Sequence, residues 1–243
     1  MSSAIRSELA PTGKLRVGIN FGNALLTSRD ANGTPGGIAI DLAKELARRL
    51  GVPVELVSYE AAGQTADGAK AGAWDVAFLA AEPARAEEIV FTPAYLEIET
   101  SYLVSAGSPL RTPADVDREG VRIAVSERSA YDLFLTRTLK RAQLVRAPGI
   151  EASVDLFFAD KLDALAGLKP LLVQVADKQP GVRVLDGRFT AVQQGVGTPK
   201  GRDAAAKYLR EFVEDIKASG LVAKTIDKNG IRGVSVAPPA PAK

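Results

Sequence analysis

The chain has no cysteine and no histidine. Without cysteine there is no disulfide, no thiolate metal site and no cysteine nucleophile. Without histidine the Ser-His-Asp triad, the commonest general base and most zinc chemistry are excluded. Any catalysis would rest on carboxylates, lysine or tyrosine, and no cofactor or metal is implied. Charge of one sign is equally scarce. The formal net charge is +2 over 243 residues, with no long single-sign run, so nucleic acid is not an expected partner. No apolar run approaches the roughly 20 residues that span a bilayer. The opening "MSSAIRSELAPTGKLRVGIN" is too polar for a signal-peptide core.

What is present is ordinary for a globular chain: 46% hydrophobic and 25% charged residues. "KLRVGIN" alternates apolar residues and reads as a strand feeding a loop. "TSRDANGTPGG" holds turn signals at Asn32-Gly33 and Pro35-Gly36-Gly37. Ile40, Leu42, Ala43, Leu46, Ala47 and Leu50 then fall at helical spacing, with Gly51 where a C-cap belongs. "VPVELVSY" reads as a strand, "ADGAKAGAW" as a weak helix and "DVAFLA" as a third strand. This alternation predicts a parallel α/β layer. After "EIETSYLVSAGSPL" the pattern restarts with strands at "VRIAVSE", "AQLVRA" and "DALAG" and helices at "SAYDLFLTRTLKRA" and "SVDLFFADKL". "VRVLDG" and "FTAVQQGVG" follow, then two closing helices from Gly201 to Gly230. Two similar units joined by two extended crossings predict a two-lobed protein with a central cleft, where small-molecule sites are common. The Pro/Ala-rich tail is expected to be disordered.

The ordered set of segments is similar to the family 3 solute-binding proteins of ABC transporters. "GKLRVGI", "GGIAIDLAKELARRLGV", "AGAWDVAFLAAEPARAEEIVFTPAY", "GVRIAVSERSAYDLFL", "KLDALAGLKP" and "GVGTPKG" carry the resemblance, from about Lys14 to about Gly230. It implies the type II periplasmic-binding fold: two α/β lobes, each a mixed, mostly parallel sheet flanked by helices, joined by two hinge crossings. Lobe 1 is expected at 1–98 and 193–233, lobe 2 at 99–192 and the disordered tail at 234–243. The implied function is binding of a small organic carboxylate, amino-acid-like or a plain acid, by lobe closure, as the substrate-binding component of an importer. Closure would bend Glu97–Ser101 and the strand near Gln194. The implied partners are the solute and an ABC transporter permease, and a monomer is expected. The family implies the periplasm, whereas the missing signal peptide leaves the cytoplasm as an alternative. Two other readings remain at this level: a cyclohexadienyl-dehydratase-like enzyme on the same lobes, with Glu82 or Glu97 as its acid, and a cytoplasmic ligand-sensing domain.

Arg85, in "AEPARAEE", is from the residues alone either a solvated turn residue or an anion grip. In the family an arginine at its position binds the ligand α-carboxylate, and a guanidinium fork suits that task through two parallel charge-assisted bonds; the alternative is a surface or inter-lobe ion pair. The family's ammonium-binding aspartate falls at Leu168 here, a second acidic contact at Asn20, and the aromatic platform near Ala62 and Gly63. Burying a cation without an acid is costly, so a carboxylate lacking the amine is the expected solute unless Glu82, Glu97 or Glu99 replaces the aspartate. Asn20, Phe21 and Asn23 supply amides and a ring at the first-lobe rim. Ser126 follows a strand. Ser129 is an N-cap, with or without a ligand role, and Tyr131 is a pocket wall or a core residue. One of Gln193 and Gln194 should face the cleft. Lys169 is a second anion contact or a solvated lysine.

Overall fold

The computed structural model describes residues 2–241. The chain forms two compact units: one runs to Glu97 and resumes at Gln193, and the other is Ile98–Val192. In chain order the first unit begins with α1 (Ser3–Leu9), β1 (Leu15–Asn20), a hairpin of β2 (Ser28–Arg29) and β3 (Pro35–Gly36), and α2 (Ile38–Leu50). Then come β4 (Val54–Tyr59), α3 (Ala62–Lys70), β5 (Val76–Ala80), a 3-10 turn at Arg85–Glu87 and β6 (Ile89–Phe91). A long strand, β7 (Leu96–Ser105), carries the chain into the second unit. That unit contains β8 (Arg122–Ser126), α4 (Ala130–Thr138), β9 (Gln143–Ala147), α5 (Ile150–Ala159), β10 (Ala164–Leu168), α6 (Lys169–Lys178) and β11 (Val182–Val184). The return strand β12 (Thr190–Pro199) leads to α7 (Asp203–Ala218), α8 (Leu221–Lys228) and β13 (Val234–Val236).

In the first unit β4, β1 and β5 are parallel, β12 runs antiparallel to β5, and β6 runs antiparallel to β12. α2 forms where the apolar spacing predicts it, burying Ile38, Ile40, Leu42, Leu46 and Leu50 and ending on Gly51 at φ 67°. The core gathers around Trp74, fully buried, whose Nε1 donates to Thr65 O at 2.9 Å. Two glycines make room for its ring: a Cβ on Gly18 would lie 2.7 Å from it, and one on Gly68 2.4 Å.

The next residue, Asp75, is also fully buried and carries the unit's main polar hub. It accepts from Arg16 Nη2 at 2.8 Å and Nε at 3.0 Å, and from Arg202 Nη1 at 3.0 Å. Its backbone carbonyl accepts from Thr198 Oγ1 at 3.0 Å. Arg202 Nη1 also donates to Glu8 O at 2.7 Å. One carboxylate therefore ties β1, β5, the segment entering α7 and the end of α1 together. A buried charge is tolerable only when paired and hydrogen-bonded in this way.

In the second unit β9, β8 and β10 are parallel, β7 runs antiparallel to β10, and β11 runs antiparallel to β7. Leu103, Ala124, Phe157, Leu162, Leu165 and Leu172 form its core. α4 is shorter than the expected segment: it stops at Thr138 and Leu139 turns extended. Asp117 receives N–H groups from Lys140, Arg141 and Ala142 there, which holds its carboxyl below the usual range, Ala142 first.

The expectation of a disordered tail is corrected over most of its length. Val234–Val236 is a strand, Ala237 N donates to Tyr95 O at 3.1 Å, and Lys217 Nζ donates to Pro238 O at 2.9 Å. Ala240 N donates to Glu214 Oε2 at 3.3 Å. Partners on α7 and beside β7 take up the backbone groups that composition alone would leave to water. Residue 1, in the expected first lobe, and residues 242–243 of the expected tail lie outside the described residues.

Two outcomes follow for stability. Asp75→Asn strands two arginines at the hub and is expected to cost about 3 kcal/mol, read as a lowered urea midpoint; a loss below about 1 kcal/mol would show that the hub is not stabilising. On α2, Arg48 foremost, and also Arg49, lower the Glu45 pKa from 4.5 to about 2 against the opposing effect of burial. A depressed carboxylate pKa adds stability above the unfolded value that is lost as pH falls through the folded one. Glu45→Gln should therefore flatten the fall in stability between pH 4.5 and about 2; an unaltered acid limb would contradict this.

Candidate functional site

Parallel α/β sheets present the loops after their strands' carboxyl ends as the ordinary place for ligands. In the first unit that edge is built from the ends of β1, β4 and β5. Asn20 pairs with Tyr59, and Ala80, the last residue of β5, pairs with Gln194 of β12. Continuing the Ile19–Phe78 register places Phe21 level with Ala80. Asn20, Phe21, Gln194 and the loop after β5 are thus brought to one edge.

Arg85 lies on that loop and is 5% exposed. Its N–H and that of Ala86 both donate to Glu82 O at 3.0 Å, which winds the loop into a tight turn. The side chain then reaches back, and Nη1 donates to Ala80 O at 2.8 Å. The guanidinium is therefore anchored to the terminal carbonyl of β5. The reading of Arg85 as a solvated turn residue is excluded by its burial. Glu82 itself is half-buried.

The amides divide. Asn20 Oδ1 accepts from Gly22 N at 2.9 Å and Asn23 Oδ1 accepts from Leu25 N at 3.1 Å, so each carbonyl closes its own turn. Gly22 is required there, since a Cβ would lie 2.3 Å from Glu60 O. Asn23 is buried, with its backbone carbonyl accepting from Thr27 Oγ1 at 3.0 Å, and acts as a loop staple. Gln194 is buried on β12. Gln193 lines a separate cavity of about 370 Å³ with Pro93, Glu97, Arg210 and the tail.

In the second unit Ser126 ends β8 and Leu168 ends β10, both at carboxyl ends of parallel strands. Ser129 caps α4, its Oγ accepting from Asp132 N at 3.1 Å. Asp132 is 2% exposed; it accepts from Arg128 N at 2.7 Å and Arg146 Nε at 3.0 Å. Arg128, whose N–H makes the first of these bonds, sits at φ 56°. Tyr131 is buried, with its hydroxyl against those of Ser129 and Ser126, and burial pushes its pKa up to about 12. Ser126, Ser129 and Tyr131 therefore form one neutral hydroxyl cluster.

Leu168 is buried and apolar, and α6 starts directly after it. Of the three acids proposed to compensate, Glu82 lies on the Arg85 loop and the other two are placed elsewhere. Glu99 is ion-paired with Arg188 at 3.4 Å and Lys169 at 3.6 Å, and Glu97 lines the cavity beside the tail. Lys169, weighed as a second anion contact, is instead engaged by Glu99 and by Gly187 O at 3.2 Å. Ala62 and Gly63 open α3 and offer no ring. Among the described residues no group of three acidic side chains converges to hold a metal.

Sequence reasoning missed two features. Arg29, on the β2–β3 hairpin, stacks over Phe21 with Cζ 3.8 Å from the ring centroid. The buried Asp132–Arg146 pair behind the α4 cap also went unseen. Only the turn-rich stretch around Arg29 hinted at a loop able to fold back.

The model of the bacterial extracellular solute-binding proteins, family 3, matches residues 15–230. The chain is similar to the histidine-binding periplasmic protein of Salmonella typhimurium, 25% identical, over 93% of this chain and 91% of that protein. It is also similar to the solute receptor for L-cysteine of Neisseria gonorrhoeae, with a TM-score of 0.80, 22% identity and 96% of each chain covered. An ancestral amino-acid-binding protein, described as a precursor of cyclohexadienyl dehydratase, matches with a TM-score of 0.76 and 24% identity over 93% of this chain and 99% of its own.

The capping geometry is testable without a ligand. Ser129→Ala should lower stability by about 1 kcal/mol in a urea titration of the solute-free protein, and an unchanged midpoint would remove the cap from the account.

Proposed function

The chain belongs to the bacterial extracellular solute-binding proteins of family 3 and has the type II periplasmic-binding fold, and on that premise we propose that it binds a small organic carboxylate for an ABC importer. The observation that carries the proposal is Arg85: a buried guanidinium anchored by Ala80 O at the carboxyl end of β5. A fork held in this way meets a carboxylate in two charge-assisted bonds with little ordering left to do. Gln194 and Asn20 supply amides at the same edge. Ser126, Ser129 and Tyr131 are the second unit's contribution to solute recognition. The partner is the importer's permease. The relative from Salmonella typhimurium is named as periplasmic, and no helix among the described residues is long and apolar enough to cross a membrane; the periplasm is the compartment this reading assigns.

The solute class follows from what surrounds the edge. With Leu168 apolar and Glu99 engaged by Lys169 and Arg188, an α-ammonium group has no obvious acid at the family's usual place. The proposed solute is therefore a carboxylate without an α-amine, unlike the amino acids in the relatives' names. Binding of this kind needs an anion clamp and no general base, which suits a chain lacking histidine and cysteine. The protein is read as a binder and not as an enzyme.

A melting screen against amino, keto, hydroxy and dicarboxylic acids tests this. A solute at a hundred times its Kd adds about 2.7 kcal/mol to the folded state. Arg85→Ala should then cost about 2–5 kcal/mol of binding. Unchanged affinity in that variant would contradict the clamp, and strong shifts confined to ordinary amino acids would contradict the solute class.

A further inference from the structure

The stacked pair at the same strand edge has a consequence for specificity. Arg29 lies over Phe21, its Cζ 3.8 Å from the ring centroid. A guanidinium at that distance is held by the ring quadrupole. Its other contacts are long: Nη1 to Gly33 O at 3.4 Å and Nη2 to Ser58 Oγ at 3.5 Å, at the limit of a hydrogen bond. No carboxylate among the described residues pairs with it. The neighbouring acid, Asp30, is turned into its own loop, where Oδ1 accepts from Thr34 N at 2.8 Å and Asn32 N at 2.9 Å. Those bonds, Thr34 foremost, hold the Asp30 carboxyl below its ordinary range. Glu60, which follows β4 at this edge, is exposed and does not pair with Arg29.

One face of the Phe21 ring is thus covered by a protein-supplied cation. Since Phe21 is level with Ala80, the carbonyl that anchors Arg85, the edge carries two guanidinium groups. Each is fixed by a neighbour, one by a backbone carbonyl and the other by a ring. We infer that Arg29 is a specificity-determining residue that selects solutes bearing a second anionic group and rejects those with a cationic side chain. This rests on the reading of Arg85 as the clamp for the first carboxylate. The solute class it names is a dicarboxylate, with Arg85 taking one end and Arg29, steadied by Phe21, taking the other. Lysine-like and arginine-like solutes meet a like charge and a covered ring.

Calorimetric titration of the wild type, Arg29→Ala and Phe21→Leu with a succinate, glutarate and adipate series, with butyrate and with L-lysine tests it. Arg29 is exposed, so its replacement leaves the core intact, and melting temperature checks folding. The wild type should bind one dicarboxylate of the series more tightly than butyrate. Arg29→Ala should weaken that dicarboxylate about tenfold or more while moving butyrate by less than about threefold. Phe21→Leu should shift the dicarboxylate-to-butyrate ratio in the same direction by a smaller factor. An unchanged ratio in Arg29→Ala, or L-lysine binding the wild type as tightly as any dicarboxylate, overturns the inference. If Arg85→Ala still abolishes binding in that case, the clamp stands alone. Failure of every carboxylate to bind the wild type overturns both.

Discussion

The arrangement of the first unit depends on one buried carboxylate. Asp75 has no exposed surface, yet it receives two arginines from different parts of the chain, Arg16 on β1 and Arg202 ahead of α7. A charge in that position is unfavourable unless every partner is in place, so the hub constrains where β1, β5 and the start of α7 lie relative to one another. Next to it, Trp74 fills the space that Gly18 and Gly68 leave open. Polar and apolar constraints meet at adjacent residues, and together they set the start of β5. Five residues of fully buried strand later, β5 delivers Ala80 and the Arg85 loop to the opposite edge. The candidate site is thus positioned by a hub at the other end of its own strand.

The second unit solves a similar problem with smaller means. Asp132 is buried and pairs with Arg146, and its carboxylate also accepts from the backbone of Arg128. That bond helps hold a non-glycine residue at positive φ, which costs free energy unless the surroundings enforce it. The return is a fixed turn between β8 and α4, with Ser129 capping the helix and Tyr131 packed against the hydroxyls beneath. Each unit uses a buried, arginine-paired acid to fix the chain next to a parallel strand, Asp75 ahead of β5 and Asp132 in the helix that follows β8.

Much of this was legible in the sequence because the signals were local. α2 could be read from its apolar spacing and Gly51, and the strands from alternation bounded by turns. Arg85 was legible only through its family context, since nothing in "AEPARAEE" says that the side chain will turn back on Ala80. α6 was not anticipated, although Pro170 stands in its first turn and proline there suits a helix start. The tail misled because proline and alanine carry no packing signal, while its partners on α7 and at Tyr95 lie far away in sequence. Arg29 over Phe21 was hidden because the contact exists only once the β2–β3 hairpin folds over. Ion pairing between distant residues, as in Glu99 with Lys169 and Arg188, was equally invisible.

The central claim is that a solute carboxylate docks on the loop after β5. Amide hydrogen exchange across residues 81–88, with and without a saturating carboxylate solute, tests it most directly. Docking on Arg85 should slow exchange in that turn, whose N–H groups close on Glu82 O and Arg85 O, more than in the remote α8. Exchange that stays unchanged at 81–88 while the solute protects some other segment would contradict the account and move the site elsewhere.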